Sequence, residues 1–407
     1  MVSLQKIAQL ASESRFDSVG SNGYSVEDID LRKVQALGEG TKHDVCASTS
    51  CDRATYGADR IGDVARAGVC HAFTPDGRCV NLFKTLYTND CSHQCRYCPN
   101  SALSGKARPL SYTPEELARI TLALYRGNYV EGLFLSSGVG SDESKTMEQM
   151  IESVRILRER HRFMGYIHLK ILPGASLEHV RQASELADRV SVNVEAPSKA
   201  RMGELSYTKD YENDILQRQR YVRDLVGKKV IPSGQTTQFV VGAAAESDSE
   251  IFASMMKEYG EMKVRRAYFS SFSSVKGTPL EGARSQPLWR ESRLYQMDWL
   301  YRIYKMKPGE IGLAFDDSGF MGNQDPKVSI ALQTIHSAVD PNEASYDELL
   351  RVPGIGPVSA SRITRIRKRE RIVKREQLTR LGVVTKRADP FISLNGWRGT
   401  KLDRWAR

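Results

Sequence analysis

The 407-residue sequence carries 59 Lys and Arg against 49 Asp and Glu, a formal net charge of +10, with 40% hydrophobic and 27% charged residues. That length predicts two or three domains at ~100–200 residues each, and the composition excludes wholesale disorder. No run approaches the roughly 18 apolar residues of a membrane-spanning helix, and the start reads as an amphipathic helical turn rather than a signal peptide, so a cytoplasmic protein with no membrane partner is expected.

In chain order, residues 1–79 read as an N-terminal helical segment that already holds four of the seven cysteines: Cys46, Cys51, Cys70 and Cys79. The other three are Cys91, Cys95 and Cys98, and none follows. An odd count in a long chain without a secretion signal argues against a disulfide framework and for metal. Cys46 and Cys51 lie in a polar stretch, and Cys70 and Cys79 bracket a turn-rich loop. These four could ligate an auxiliary iron–sulfur cluster or a zinc ion, with His43 or His71 able to replace one thiolate. The alternative is inert thiols.

Val80 to Tyr87 reads as a strand feeding the loop Cys91-Ser-His-Gln-Cys95-Arg-Tyr-Cys98. The spacing C-x3-C-x2-C puts three soft ligands on one loop, enough for three corners of an iron–sulfur cube with one iron left open. A structural zinc wants four ligands, and His93 is poorly spaced to be the fourth.

Strand-like and helical segments then alternate. Tyr112 onward opens a helix with Thr113 as cap, Pro114 first and Glu116 at the capping-box position. The strand Gly132–Gly138 follows, then a helix from about Thr146 to His161 and the strand Gly165–Leu172. Next come a helix at Ser176–Ala187, the strand Arg189–Glu195 and a helix around Tyr211–Val226. The strand Thr236–Gly242, a helix at Asp248–Tyr259 and the strand Arg265–Phe272 close the series. About six strand–helix units predict an α/β fold, a partial (β/α)6 barrel over residues 80–300. Ligands of such folds sit at the carboxyl ends of the strands, where Ser136, Ser137, Gly138, Asn193, Glu195 and Gly242 fall.

Residues 301–337 read as a Gly- and Pro-broken linker, 338–385 as a small all-α domain and 386–407 as a basic tail. Residues 361–407 hold 15 Lys and Arg and 4 Asp and Glu, which leaves 44 and 45 in the first 360 residues. The excess charge therefore belongs to the C-terminus and points to a polyanionic partner. Pro353-Gly354-Ile355-Gly356 makes a tight turn that leaves backbone N–H groups open at a helix start, where phosphate oxygens bind. Arg362, Arg365, Arg367 and Lys368 on the following helix add cations for the same backbone.

Three resemblances gather these features. The cysteine loop and residues 80 to 290 resemble radical S-adenosylmethionine (SAM) enzymes. This implies a [4Fe–4S] cluster on Cys91, Cys95 and Cys98 that cleaves SAM to a 5′-deoxyadenosyl radical, served by an electron donor. Ser136-Ser-Gly138 is similar to the strand end that holds the SAM amino group, without its acidic residue. Phe239-Val-Val-Gly242 with Glu246 is similar to the strand packed on the adenine, and Tyr97 matches the aromatic of the family loop. Lys170, Asn193 and Glu195 are then contacts to SAM or, equally, to substrate. Val339–Ile363 resembles a helix-hairpin-helix DNA-binding module. Over nearly the whole chain, with Asp44-Val-Cys-Ala-Ser and the Cys70–Cys79 segment included, the sequence resembles DNA modification or repair radical SAM proteins linked to uracil-DNA-glycosylase-like partners. That implies an enzyme acting on a DNA base, thymine hypermodification being one such reaction. An RNA-modifying enzyme and a non-catalytic nucleic-acid-binding protein with a structural Fe–S or zinc site are the alternatives.

Overall fold

Apolar runs that end in small or polar residues become the parallel strands of one sheet. A computed structural model describes residues 30–41, 69–73, 79–105, 108–228 and 230–398. Its strands are β1 (Val69–Phe73), β2 (Cys79–Leu86), β3 (Gly132–Ser136), β4 (Tyr166–Lys170), β5 (Arg189–Ser191), β6 (Gln235–Val241) and β7 (Arg266–Ser271). They lie in sequential order; β1 is antiparallel to β2, and every later pair is parallel. Six parallel strands with intervening helices form the half-barrel expected from the alternation. All five residues of β3 and all seven of β6 are buried, as parallel strands covered on both faces require. Phe239 and Phe269 stack across β6 and β7 with centroids 5.8 Å apart.

The helices that precede β7 are α1 (Leu31–Glu39), α2 (Pro114–Arg126), α3 (Glu143–Arg155), α4 (Leu177–Leu186), α5 (Lys199–Leu205), α6 (Gln217–Gly227) and α7 (Asp248–Gly260). The capping box that opens α2 forms as read: Glu116 N donates to Thr113 Oγ1 at 3.1 Å and Thr113 N to Glu116 Oε2 at 3.3 Å. The helix read around Tyr211–Val226 instead begins as a π-helical turn, Tyr211–Leu216, before α6. The strand read to Glu195 ends at Ser191, and Glu195 itself takes a φ of +60°. Its backbone still bonds to Gln238 O and Val240 N, so pairing with β6 continues around an irregular corner.

One buried carboxyl on α7 carries a testable consequence. Glu258 is 2% exposed, accepts a hydrogen bond from Gln219 Nε2 at 2.8 Å, and is pushed by burial up to about 8. The folded chain keeps a proton that the unfolded chain releases near pH 4.5, so stability is lost as pH rises from there toward 8. Glu258→Gln keeps the shape without the charge. It is expected to flatten that loss and to gain on the order of a few kcal/mol at most at the alkaline end. Melting curves of both proteins at about pH 5 and about pH 8 check this.

Contacts divide the described chain into a first unit, up to Glu246 with Ser254–Gln286, and a second, Ser247–Ala253 with residues from Pro287 onward. The second unit holds α8 (Leu288–Arg302), α9 (Pro308–Gly312), α10 (Pro326–Thr334), α11 (Tyr346–Arg351), α12 (Pro357–Ile366), α13 (Arg375–Arg380) and α14 (Thr385–Ala388). The segment read as a linker contains α9 and α10, and Val328, Ala331 and Ile335 join the core that buries Leu349, Val352, Ile355 and Ile363. The segment read as a tail from residue 386 places Phe391, Ile392 and Leu394 in the same core. Its sequence looks tail-like because these apolar residues sit among charged ones without helical periodicity.

The hairpin turn of this core is present twice. Gly354 between α11 and α12 has φ +85°, and Gly382 between α13 and α14 has φ +90°. Leu350, Ile355 and Ala360 are buried around the first, and Leu378, Val383 and Ala388 around the second. The second copy replaces Gly356 with Val384 and was not evident from the first motif alone.

Candidate active site

The loop that follows β2 is held on both sides. Toward β3, Tyr87 N donates to Ser136 O at 2.7 Å, Gly138 N to Thr88 O at 2.7 Å and Ser92 N to Val139 O at 2.6 Å. A Cβ on Gly138 would sit 2.4 Å from Asp90 O, so glycine there lets the loop lie against the strand end. On the other side the segment after α5 acts as a clamp. Arg96 N donates to Leu205 O at 2.8 Å, and Gln94 N to Thr208 Oγ1 at 3.0 Å. His93 Nδ1 meets the same hydroxyl at 3.1 Å, and Cys95 Sγ lies 3.6 Å from Ser206 Oγ.

Cys91, Cys95 and Cys98 thereby line one cavity of about 150 Å³ at the carboxyl ends of the strands. Of the residues read as SAM contacts, Tyr97, Ser136, Ser137, Gly138, Lys170, Asn193 and Glu195 line it too. Gly242 is not in the lining. Its amide and that of Ala244 donate to the Glu246 carboxylate, which shapes the turn after β6. Gln238 and Val240 represent β6 in the cavity instead.

Lys209 is the residue that sequence reasoning missed. It follows the clamp, lines the cavity and lies 3.7 Å from Glu195, with both side chains largely buried. Burial alone would pull its ammonium down. Glu195 and the thiols of Cys95, Cys91 and Cys98, once ionised, more than offset this and hold it above its ordinary value. No periodic or motif signal marks the position, which only the tertiary fold brings beside the cysteines.

Burial pushes the Cys91 thiol up, and burial followed by the neighbouring Cys95 pushes Cys98 to about 12. Such thiols become thiolates only when a bound cation displaces their protons. His93 is pulled down to about 4, by burial first and then by Lys209, so its ring is neutral near pH 7. Among the described residues no three His, Cys, Asp or Glu side chains converge to hold a single metal ion. An iron–sulfur cube binds thiolates at separate corners and requires no common meeting point. Of the four cysteines read as an auxiliary set, Cys46 and Cys51 lie outside the described residues. The backbones of Cys70 and Cys79 pair with Leu82 and Phe73 in the β1–β2 hairpin.

In the second unit, a Cβ on Gly354 would lie 2.4 Å from Val384 O, and Val384 N donates to Gly354 O at 2.9 Å. The two hairpins are thus locked through this glycine. Ile355 N is taken by Val352 O at 3.1 Å, whereas the amides of Gly354 and Gly356 donate to no group among the described residues. Pro353 and Pro357 carry no N–H. Arg362, Arg365 and Lys368 are exposed, while Arg367 turns inward and donates to the carbonyls of Pro341 and Ala344.

Residues 85–254 match the family model described as "Radical SAM superfamily", and residues 335–388 match "Helix-hairpin-helix motif". No curated protein sequence matches the chain. Among solved structures, methylornithine synthase is similar at 15% identity and a TM-score of 0.44, over 54% of this chain and 61% of that one. The FeFe-hydrogenase maturase HydG from Carboxydothermus hydrogenoformans is similar at 11% identity and a TM-score of 0.41, over 52% of this chain and 48% of that one. The radical SAM methyltransferase TsrM from Kitasatospora setae is similar at 13% identity and a TM-score of 0.36, over 49% and 37%. This chain thus spans less than two thirds of the length of each. By these matches the chain carries a region similar to the radical SAM superfamily, followed by a helix-hairpin-helix motif.

Proposed function

We propose that the protein modifies or repairs a base in DNA by SAM-dependent radical chemistry. The observation that carries this reading is the sharing of one cavity by Cys91, Cys95 and Cys98, six strand-end residues and Tyr97 expected to face SAM, and the buried cation Lys209. The donor set fits the cofactors: three soft ligands on one cavity wall, with one ammonium to offset the anionic charge that thiolates and a carboxylate bring. When bound, the cluster and SAM supply a one-electron cleavage that gives a 5′-deoxyadenosyl radical.

The chain's own residues do the rest. The clamp holds the cysteine loop and the Cys95 sulfur, and Lys209 with Glu195 offers a cation and an anion for the polar ends of SAM. Asn193, Lys170 and Gln238 supply further polar contacts, and Tyr97 an apolar face. The strand walls exclude water from the reacting carbon.

The open amides of Gly354 and Gly356 and the exposed Arg362, Arg365 and Lys368 support nucleic acid as the partner. DNA, with thymine among its candidate bases, follows from the family resemblance. So does a uracil-DNA-glycosylase-like partner, whereas a second cluster or zinc on Cys46, Cys51, Cys70 and Cys79 is proposed from the clustering of those cysteines alone. An external one-electron donor is required by the chemistry.

The test is anaerobic turnover of reconstituted protein with SAM, reductant and duplex DNA, followed by mass spectrometry of the nucleosides. We expect 5′-deoxyadenosine formation that rises with duplex, together with a new or lost nucleoside. Formation that ignores duplex and rises with RNA would replace DNA by RNA, and a protein that binds no iron would end the enzymatic reading.

A further inference from the structure

Beneath the first hairpin turn lies a cation that does not face solvent. Lys327 on α10 is 8% exposed, and its ammonium donates to Ile355 O at 2.6 Å. It also lies 4.5 Å from the centroid of the Tyr304 ring. Withdrawing an ammonium from water opposes folding, and a Met of similar length would fill the same space with no charge to desolvate. The position therefore calls for a role other than filling the core.

That role is visible in one peptide plane. Ile355 and Gly356 are joined by a trans peptide, so a carbonyl turned inward onto Lys327 turns the Gly356 N–H the opposite way. Gly356 is the N-cap of the ten-residue helix α12, and its amide has no acceptor among the described residues. We propose that Lys327 is a positioning residue for nucleic-acid binding, holding the Ile355 carbonyl so that the Gly356 amide faces a phosphate oxygen with a buried ammonium beneath it. This rests on the hairpin reading proposed above.

The groups facing Lys327 are few. Tyr304 presents its ring, and Asp325 at the N-cap of α10 is engaged by Arg387 at 3.1 Å. Burial pulls the ammonium down to about 7, and Asp325 acts in the opposite sense. The charge beneath the turn is accordingly lost as pH rises through neutrality.

Full-length wild type, Lys327→Met and Lys327→Arg are compared for melting temperature and for affinity to one mixed-sequence duplex across a salt series. For Lys327→Met we expect an unchanged or raised melting temperature, about tenfold weaker duplex binding and an unchanged salt slope. A slope shallower by about 0.9 would make Lys327 a direct phosphate contact and overturn the proposal. Unchanged affinity in a folded Lys327→Met protein overturns it as well. Should Lys327→Met not fold, Lys327→Arg decides. Its cation persists at all relevant pH, so affinity between about pH 6 and pH 8.5 is expected to fall in wild type and stay flat in the variant. Parallel profiles overturn the proposal. Failure of wild type to bind duplex at all would instead remove the hairpin reading, and this inference with it.

Discussion

Cys95→Ala is expected to yield a folded protein that no longer retains iron after reconstitution and desalting. Cys95 is 5% exposed, and its immediate surroundings are the clamp at Ser206 and the loop backbone. Alanine fits that space, so the melting temperature of the metal-free chain should change little. With one corner of the ligand set gone, SAM cleavage should fall by more than about a hundredfold, the upper range for losing a mere outer partner of a metal ligand. Iron content by colorimetric assay and 5′-deoxyadenosine by chromatography check the two halves separately. A variant that keeps both would show that Cys95 is a structural thiol and that the cavity serves another purpose.

Gly354→Ala should do to the second unit what Cys95→Ala does to the first. At φ +85° the added Cβ is conformationally strained, at about 1–3 kcal/mol. It would also stand 2.4 Å from Val384 O and 3.1 Å from Arg387 Cβ. Because Val384 N bonds back to Gly354 O, the variant must part the two hairpins as well as distort one turn. Duplex affinity should drop more than about tenfold with a lower melting temperature. Iron retention and duplex-free SAM cleavage should persist, since the cavity is built wholly from residues of the first unit. Fluorescence anisotropy with a labelled duplex, set beside the cleavage assay, reads both. Loss of cleavage without duplex would contradict that independence.

The features that were legible in the sequence are those whose physics is local. Cysteine spacing, the Thr113–Glu116 capping box and the alternation of apolar strands with amphipathic helices all act within about ten residues. The small and polar residues at strand ends could be placed in the cavity because barrel folds gather those ends. Lys209, Ser206 and Thr208 could not, since they lie on an irregular segment whose importance comes only from meeting a loop more than a hundred residues away. Gly242 meets a related limit. A glycine at a strand end suits close approach to a ligand, but here it suits a turn capped by Glu246. Phe391, Ile392 and Leu394 show the same limit in the second unit, where burial is conferred by partners distant in sequence.

The clamp also sets an order of events during synthesis. His93 and Thr208 are 115 residues apart, so the loop leaves the ribosome well before the segment that covers it. At ~5–20 residues per second that interval is about 6–23 seconds. Throughout it, three nucleophilic thiols stand on an uncovered loop, and β6 and β7, which finish the cavity wall, have yet to be made. The cysteines must therefore be kept reduced before they can be buried, and the cluster can be enclosed only once the last strands have been added.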